Sequence, residues 1–175
     1  NLLLPVNDSK NISQSPDFSW TPNNKYNSYE FVISKQNTFQ PIIVDTIITS
    51  PNLTLNELEG YTKYYWKVRV KNTTRQGEYS QIWDFTTGIA PVGLRFPSNN
   101  SKDNKTTIQF LWFSTNGAKY YFLQVARDIN FNDLIFSKDS IETTNYEVKN
   151  LLPKTTYFWR VRASNVDGTS SWSQV

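Results

Sequence analysis

The chain repeats itself. Phe18-Ser19-Trp20 returns as Phe110-Leu111-Trp112, and Tyr29-Glu30-Phe31-Val32-Ile33 returns as Tyr121-Phe122-Leu123-Gln124-Val125, both at an offset of 92 residues. Leu4-Pro5 and Phe96-Pro97 share that offset. One loop residue later the offset becomes 93, where Leu58 matches Leu151, and Tyr64-Tyr65-Trp66-Lys67-Val68-Arg69-Val70 matches Tyr157-Phe158-Trp159-Arg160-Val161-Arg162-Ala163. Tyr79-Ser80 likewise matches Trp172-Ser173. Self-similarity over nearly all of 175 residues restricts the fold to two copies of one module. The expected domains are residues 1–88 and 89–175, joined by a short stretch, Gly88-Ile89-Ala90-Pro91-Val92-Gly93, that Pro91 stiffens. The first unit continues through Trp83-Asp84-Phe85-Thr86-Thr87, whereas the second stops at Val175, the counterpart of Ile82. The second domain is therefore expected to be truncated before its last strand, with an open edge and less stability than the first.

Alternation sets the secondary structure. Tyr64, Trp66, Val68 and Val70 occupy every second position, with Tyr65, Lys67 and Arg69 between them. That period is a strand with one face buried and one wet. Tyr29, Phe31 and Ile33 alternate too, as do Phe18 with Trp20, Leu53 with Leu55 and Trp83 with Phe85. Runs such as Thr21-Pro22-Asn23-Asn24 and Ser98-Asn99-Asn100-Ser101 separate them as turns. No stretch keeps a helical apolar period for three turns. About seven strands are expected in the first unit and about six in the second, which favours an all-β pair of antiparallel β-sandwiches.

Composition removes whole classes of chemistry. The chain has no His, Cys or Met. The commonest general base, the commonest metal ligand and all thiolate chemistry are absent. The acidic pairs Glu57 with Glu59 and Asp139 with Glu142 fall in turn-like stretches and are expected to be solvated. Asn165-Val166-Asp167-Gly168 is too short for a calcium loop and is expected to be a turn. No catalytic, cofactor or metal residue is assigned. A net charge of +3, with Lys and Arg scattered, gives nucleic-acid binding little support, and no apolar run is long enough to span a membrane. Asn-x-Ser/Thr triplets begin at Asn7, Asn11, Asn52, Asn72, Asn99 and Asn104. In so Asn-rich a chain they are expected to be mostly coincidental.

Leu58-x5-Tyr64 and Leu151-x5-Tyr157 precede the longest strand of each unit and look like tyrosine corners, in which a ring packs under a crossing loop. With Trp20 and Trp112 on the second strand, and Tyr29 and Tyr121 on the third, each unit resembles a fibronectin type III domain. Trp83-Asp84-Phe85-Thr86-Thr87 and the run from Tyr157 to Ala163 look most like the variants of bacterial secreted or surface proteins. The resemblance implies an immunoglobulin-like sandwich whose usual work is spacing, adhesion and protein contact. It implies an extracellular or cell-surface setting, no cofactor and no common catalytic residue. Partners would be other domains of a parent protein, another surface protein or glycans. The chain would then be a non-catalytic module, with an accessory pair of a secreted hydrolase or a carbohydrate-binding module as alternatives.

Two residue sets follow. The core is expected to hold Trp20, Tyr29, Leu58, Tyr64, Trp66, Trp112, Tyr121, Leu151, Tyr157 and Trp159. The candidate partner or glycan surface comprises the outward residues Tyr65, Lys67, Arg69, Phe122, Phe158, Arg160, Arg162 and Trp172. Long cationic stems there would cover the sheet while their heads stay wet. Arg160 or Arg162 is expected to stack on Trp172.

Overall fold

The structure, a computed structural model, describes residues 1–26, 28–72 and 75–175. The Asn72 triplet runs through Thr73 and Thr74, outside the described residues. The chain forms two compact units, Asn1–Gly88 and Ile89–Val175.

The first unit contains β1 (Leu2–Leu4), β2 (Ser9–Ile12), β3 (Asp17–Trp20), β4 (Tyr29–Ser34), β5 (Ile42–Ile48), β6 (Asn52–Thr54), β7 (Lys63–Val70) and β8 (Trp83–Thr87). A three-stranded sheet, β1-β3-β6, faces a five-stranded sheet, β2-β8-β7-β4-β5. Alternate side chains from both sheets meet between them. Phe18, Phe31, Trp66 and Phe85 are completely buried there, with Trp20, Tyr29, Leu58 and Tyr64 around them. Phe18 meets Phe31, Trp66 and Phe85 edge-on, with centroids 4.8, 5.1 and 5.7 Å apart. That offset geometry is the one aromatic quadrupoles favour.

The second unit contains β9 (Leu94–Phe96), β10 (Ile108–Trp112), β11 (Tyr120–Ala126), β12 (Leu134–Ile141), β13 (Asn145–Val148), β14 (Phe158–Asn165) and β15 (Gly168–Thr169). Its sheets are β13-β10-β9 and β12-β11-β14-β15. Trp112, Tyr121, Leu151 and Trp159 are buried, but Tyr157 is only half-buried. The all-β sandwich architecture holds throughout the described residues, with no helix among them.

Two details depart from the strand reading. β2 is an extra strand: the chain leaves one sheet after β1 and joins the other, where it pairs with β8 in parallel rather than antiparallel, Ser9 opposite Phe85 and Ile12 opposite Thr87. Ser9-Lys10-Asn11-Ile12 lacks apolar alternation because it lies at a sheet edge, held by backbone bonds. The edge of β14 is also only half open. β15 pairs with Ser164 and Asn165, and the segment after it donates Ser170 N–H to Ala163 C=O (2.8 Å) and Ser173 N–H to Val161 C=O (2.9 Å).

Candidate interaction face

The cations of the expected surface lie on the solvent side of the larger sheets, and the two units build the same ladder there. In the first, Lys67 Nζ stands 3.9 Å from the Phe39 ring centre and 4.2 Å from that of Tyr79, while the Arg69 guanidinium lies 4.4 Å from Tyr79. In the second, Arg160 lies 3.9 Å from Phe131 and 4.2 Å from Trp172, and Arg162 lies 4.7 Å from Trp172 and 5.0 Å from Phe122. Phe39 and Phe131 correspond at the 92-residue offset, Tyr79 and Trp172 at 93. Both phenylalanines hold left-handed backbones, with φ of 56° and 59°. Both guanidiniums of the second unit thus stack on Trp172. Each such contact contributes roughly 0.5–2 kcal/mol, more as water is excluded.

One position separates the two ladders. In the first unit β4 places Glu30 beside the cations. Its carboxylate is nearly buried, pairs with Arg69, accepts from Lys71 Nζ at 2.5 Å and from the Tyr79 hydroxyl at 2.8 Å. Burial alone would raise its pKa, but hydrogen bonds from Arg69, Lys71 and Tyr79 outweigh this and bring it down to about 2. The Tyr79 hydroxyl is pushed up to about 12 by burial and by its bond to that carboxylate. In the second unit the counterpart of Glu30 is Phe122. Its ring lies 5.4 Å from Trp172, and no carboxylate among the described residues pairs with Arg160 or Arg162. Arg160 instead donates Nε–H and Nη2–H to Gln124 Oε1, at 2.9 and 2.7 Å. Burial and the neighbouring Arg162 both lower its pKa, the signature of a cation without a counter-ion. The first face is therefore internally neutralised, while the second presents unpaired positive charge on a platform of rings.

The remaining expected surface residues do not join these ladders. Tyr65 lies beneath Lys63, 5.5 Å away, and Lys63 is held by Asp84 at 2.9 Å. Phe158 lines a cavity at one end of the second sandwich instead. Glu30, Gln124, Phe39 and Phe131 are members that sequence reasoning missed. The visible signal was the parity of Glu30, which alternates with Tyr29 and Phe31 and so must share a face with Arg69. The acidic pairs hold no site: Glu57, Asp139 and Glu142 are exposed, and Glu59 is engaged by Lys35. Asn165 Oδ1 accepts from Asp167 and Gly168 N–H, a turn between β14 and β15. Among the described residues no cluster of three or more acidic residues is arranged to hold a metal ion, and no helix is long and apolar enough to cross a membrane.

Both expected tyrosine corners are formed. The Tyr64 hydroxyl accepts from Glu59 N–H at 3.0 Å, and that of Tyr157 accepts from Leu152 N–H at 2.8 Å. The chain is similar to the chicken CNTN1 FN1-FN3 domains, at 17% identity and a TM-score of 0.40, covering 99% of this chain and 64% of that one. It is similar also to a two fibronectin type-III domain segment from chicken tenascin, at 12% identity and a TM-score of 0.47, covering 98% of this chain and 94% of that one. No curated protein matches. The family model of the Fibronectin type III domain matches residues 90–175, so the second unit of this all-β chain carries a fibronectin type III domain.

Proposed function

We propose that both units are fibronectin type III domains and that the chain is a non-catalytic extracellular spacer and adhesion module, which makes protein contacts within a larger bacterial surface or secreted protein. Such domains generally serve as protein-binding and spacer modules. The observation that carries the adhesive part is the unpaired Arg160–Trp172–Arg162 ladder, whose equivalent in the first unit is neutralised by Glu30. Two preorganised guanidiniums backed by rings suit an acidic protein surface, because each can bind a carboxylate with two parallel hydrogen bonds. Aromatic and Arg side chains are also the types that dominate binding at interfaces.

Beads coated with the full chain test this on intact cells. Binding should fall when the cells are treated with protease, weaken with rising salt, and drop at least tenfold for Arg160→Glu. Binding that survives protease but is lost after glycosidase treatment supports a second reading, recognition of an acidic glycan. A shallow groove of about 180 Å³ beside the ladder, lined by Tyr120, Phe122, Asp139 and Arg162, favours that alternative. Binding unchanged in Arg160→Glu rejects the face altogether.

A further inference from the structure

At one end of the second unit lies a cavity of about 1240 Å³, bordered by residues 98–106 on one side and residues 151–159 on the other, with Phe110 and Trp159 at its floor. The first unit shows what belongs in such a place. There β8 lies between β2 and β7, pairing in parallel with Ser9 and Ile12 and antiparallel with Lys63–Trp66. Phe85 of β8 is completely buried, 5.7 Å from both Phe18 and Tyr64. Thr87 locks the corner loop: its hydroxyl accepts from Thr62 N–H and donates to Glu59 C=O.

In the second unit the flanks of this slot are present. Phe18 and Tyr64 correspond to Phe110 and Tyr157, and Glu59 and Thr62 to Leu152 and Thr155. Tyr157 is half-buried where Tyr64 is sealed at 2% exposure. β7 begins at Lys63, but β14 begins at Phe158, two residues later than the counterpart of Lys63, because Lys63 and Tyr64 pair only with β8. The opposite flank already has its shape. Asp8 and Asn11 in the first unit have φ of 60° and 57°; their counterparts Asn100 and Asp103 have 60° and 56°. Asp and Asn tolerate the left-handed region best among non-glycine residues. The loop keeps the bend of β2 without a strand beside it.

We propose that the second unit is a strand acceptor. Its cleft takes an extended peptide from a separate polypeptide, with large rings at the first and third positions, an acid at the second and threonine at the fifth. The peptide runs parallel to residues 101–104 and antiparallel to residues 156–159. The ring at position three fills the space between Phe110 and Tyr157. Asn99 Oδ1 accepts from the backbone of position two, as Asn7 Oδ1 accepts from Asp84 N–H at 2.9 Å. The rim carries Arg95, Lys102, Lys105 and Lys154 against the single acid Asp103, which favours an acidic residue in the incoming strand. A second copy of this chain is a poor donor, because its matching strand, β8, is already paired on both edges with Phe85 fully buried. Strand addition of this kind gains affinity from main-chain bonds and specificity from alternate side-chain pockets.

The full chain is titrated with a capped Trp-Asp-Phe-Thr-Thr-Gly peptide and with a scrambled peptide whose rings are adjacent, and backbone amide signals are followed. The expected result is saturable shifts confined to residues 99–106 and 155–159, with none at residues 7–12 or 63–66. At a hundredfold excess over Kd the unfolding midpoint of the second unit should rise by about 10 °C. Asn99→Ala, an exposed residue whose loss leaves the core intact, should weaken binding about fivefold, the value of one hydrogen bond. No shift at millimolar peptide, equal binding of the scrambled peptide, or shifts in the first unit would overturn the proposal. Dimerisation of the peptide-free chain that perturbs the same residues would overturn the choice of occupant in favour of a second copy.

Discussion

At the scale of single residues, Glu30 has the largest consequences for the first unit. Its pKa falls from an ordinary 4.5 to about 2 on folding, because three donors hold the charged form more tightly than burial penalises it. A lowered carboxylate pKa stabilises the folded state above the unfolded value and loses that contribution as pH falls through the folded one. The first unit should therefore lose roughly 3 kcal/mol between about pH 4.5 and pH 2. Denaturant unfolding across that window should show the loss, and Glu30→Gln should flatten it while costing about 3 kcal/mol at neutral pH. The tyrosine corners offer a second comparison. Removing the hydroxyl with Tyr64→Phe orphans a donor in a sealed site and should cost about 1–2 kcal/mol. Tyr157→Phe, where water can reach Leu152 N–H, should cost less than half as much by the same measurement. The sequence made these tyrosines visible through their spacing from Leu58 and Leu151. It did not reveal that one is sealed and the other is not, since that depends on a strand paired from elsewhere.

At the scale of elements, β8 joins the two ends of the first unit. It pairs with β7 and with β2 and seats Phe85 against Tyr64. Phe85→Ala should cost about 3–5 kcal/mol, read by chemical denaturation, and should expose Tyr64 to solvent quenchers. Amide exchange supplies the counterpart. The backbone of Lys63–Trp66 is held by β8, whereas residues 156 and 157 fall outside β14. Residues 156–159 should exchange at least tenfold faster than residues 63–66. Equal protection would mean that something else covers the second edge. Strands with rings at alternate positions, such as β4, β7, β11 and β14, were plain in the sequence because burial on one face imposes a period of two. β2 was not, because Ser9, Lys10 and Asn11 carry no apolar alternation, and parallel pairing at an edge is decided by backbone placement. The basic ladder was legible as Lys and Arg at outward positions with Trp172 nearby. Its counter-ion was not, because nothing in Tyr29-Glu30-Phe31 announces that the acid is buried.

At the scale of the whole molecule, two copies of one framework differ in charge at a single register position. Introducing the acid into the second copy, Phe122→Glu, should pair Arg160 and Arg162, abolish the cell binding proposed for that face and add an acid-labile component to the unfolding of the second unit. Circular dichroism melts at pH 3 and pH 7 would detect the latter. The swap of Glu30 for Phe122 also governs how such modules would combine in longer arrays. Multivalent attachment grows with the number of competent sites held within reach of one another, and not with the number of folded units. A module bearing the glutamate adds length and a neutralised flank, while one bearing the ring adds a grip. The valency of an array could thus be tallied from the identity of one residue per repeat.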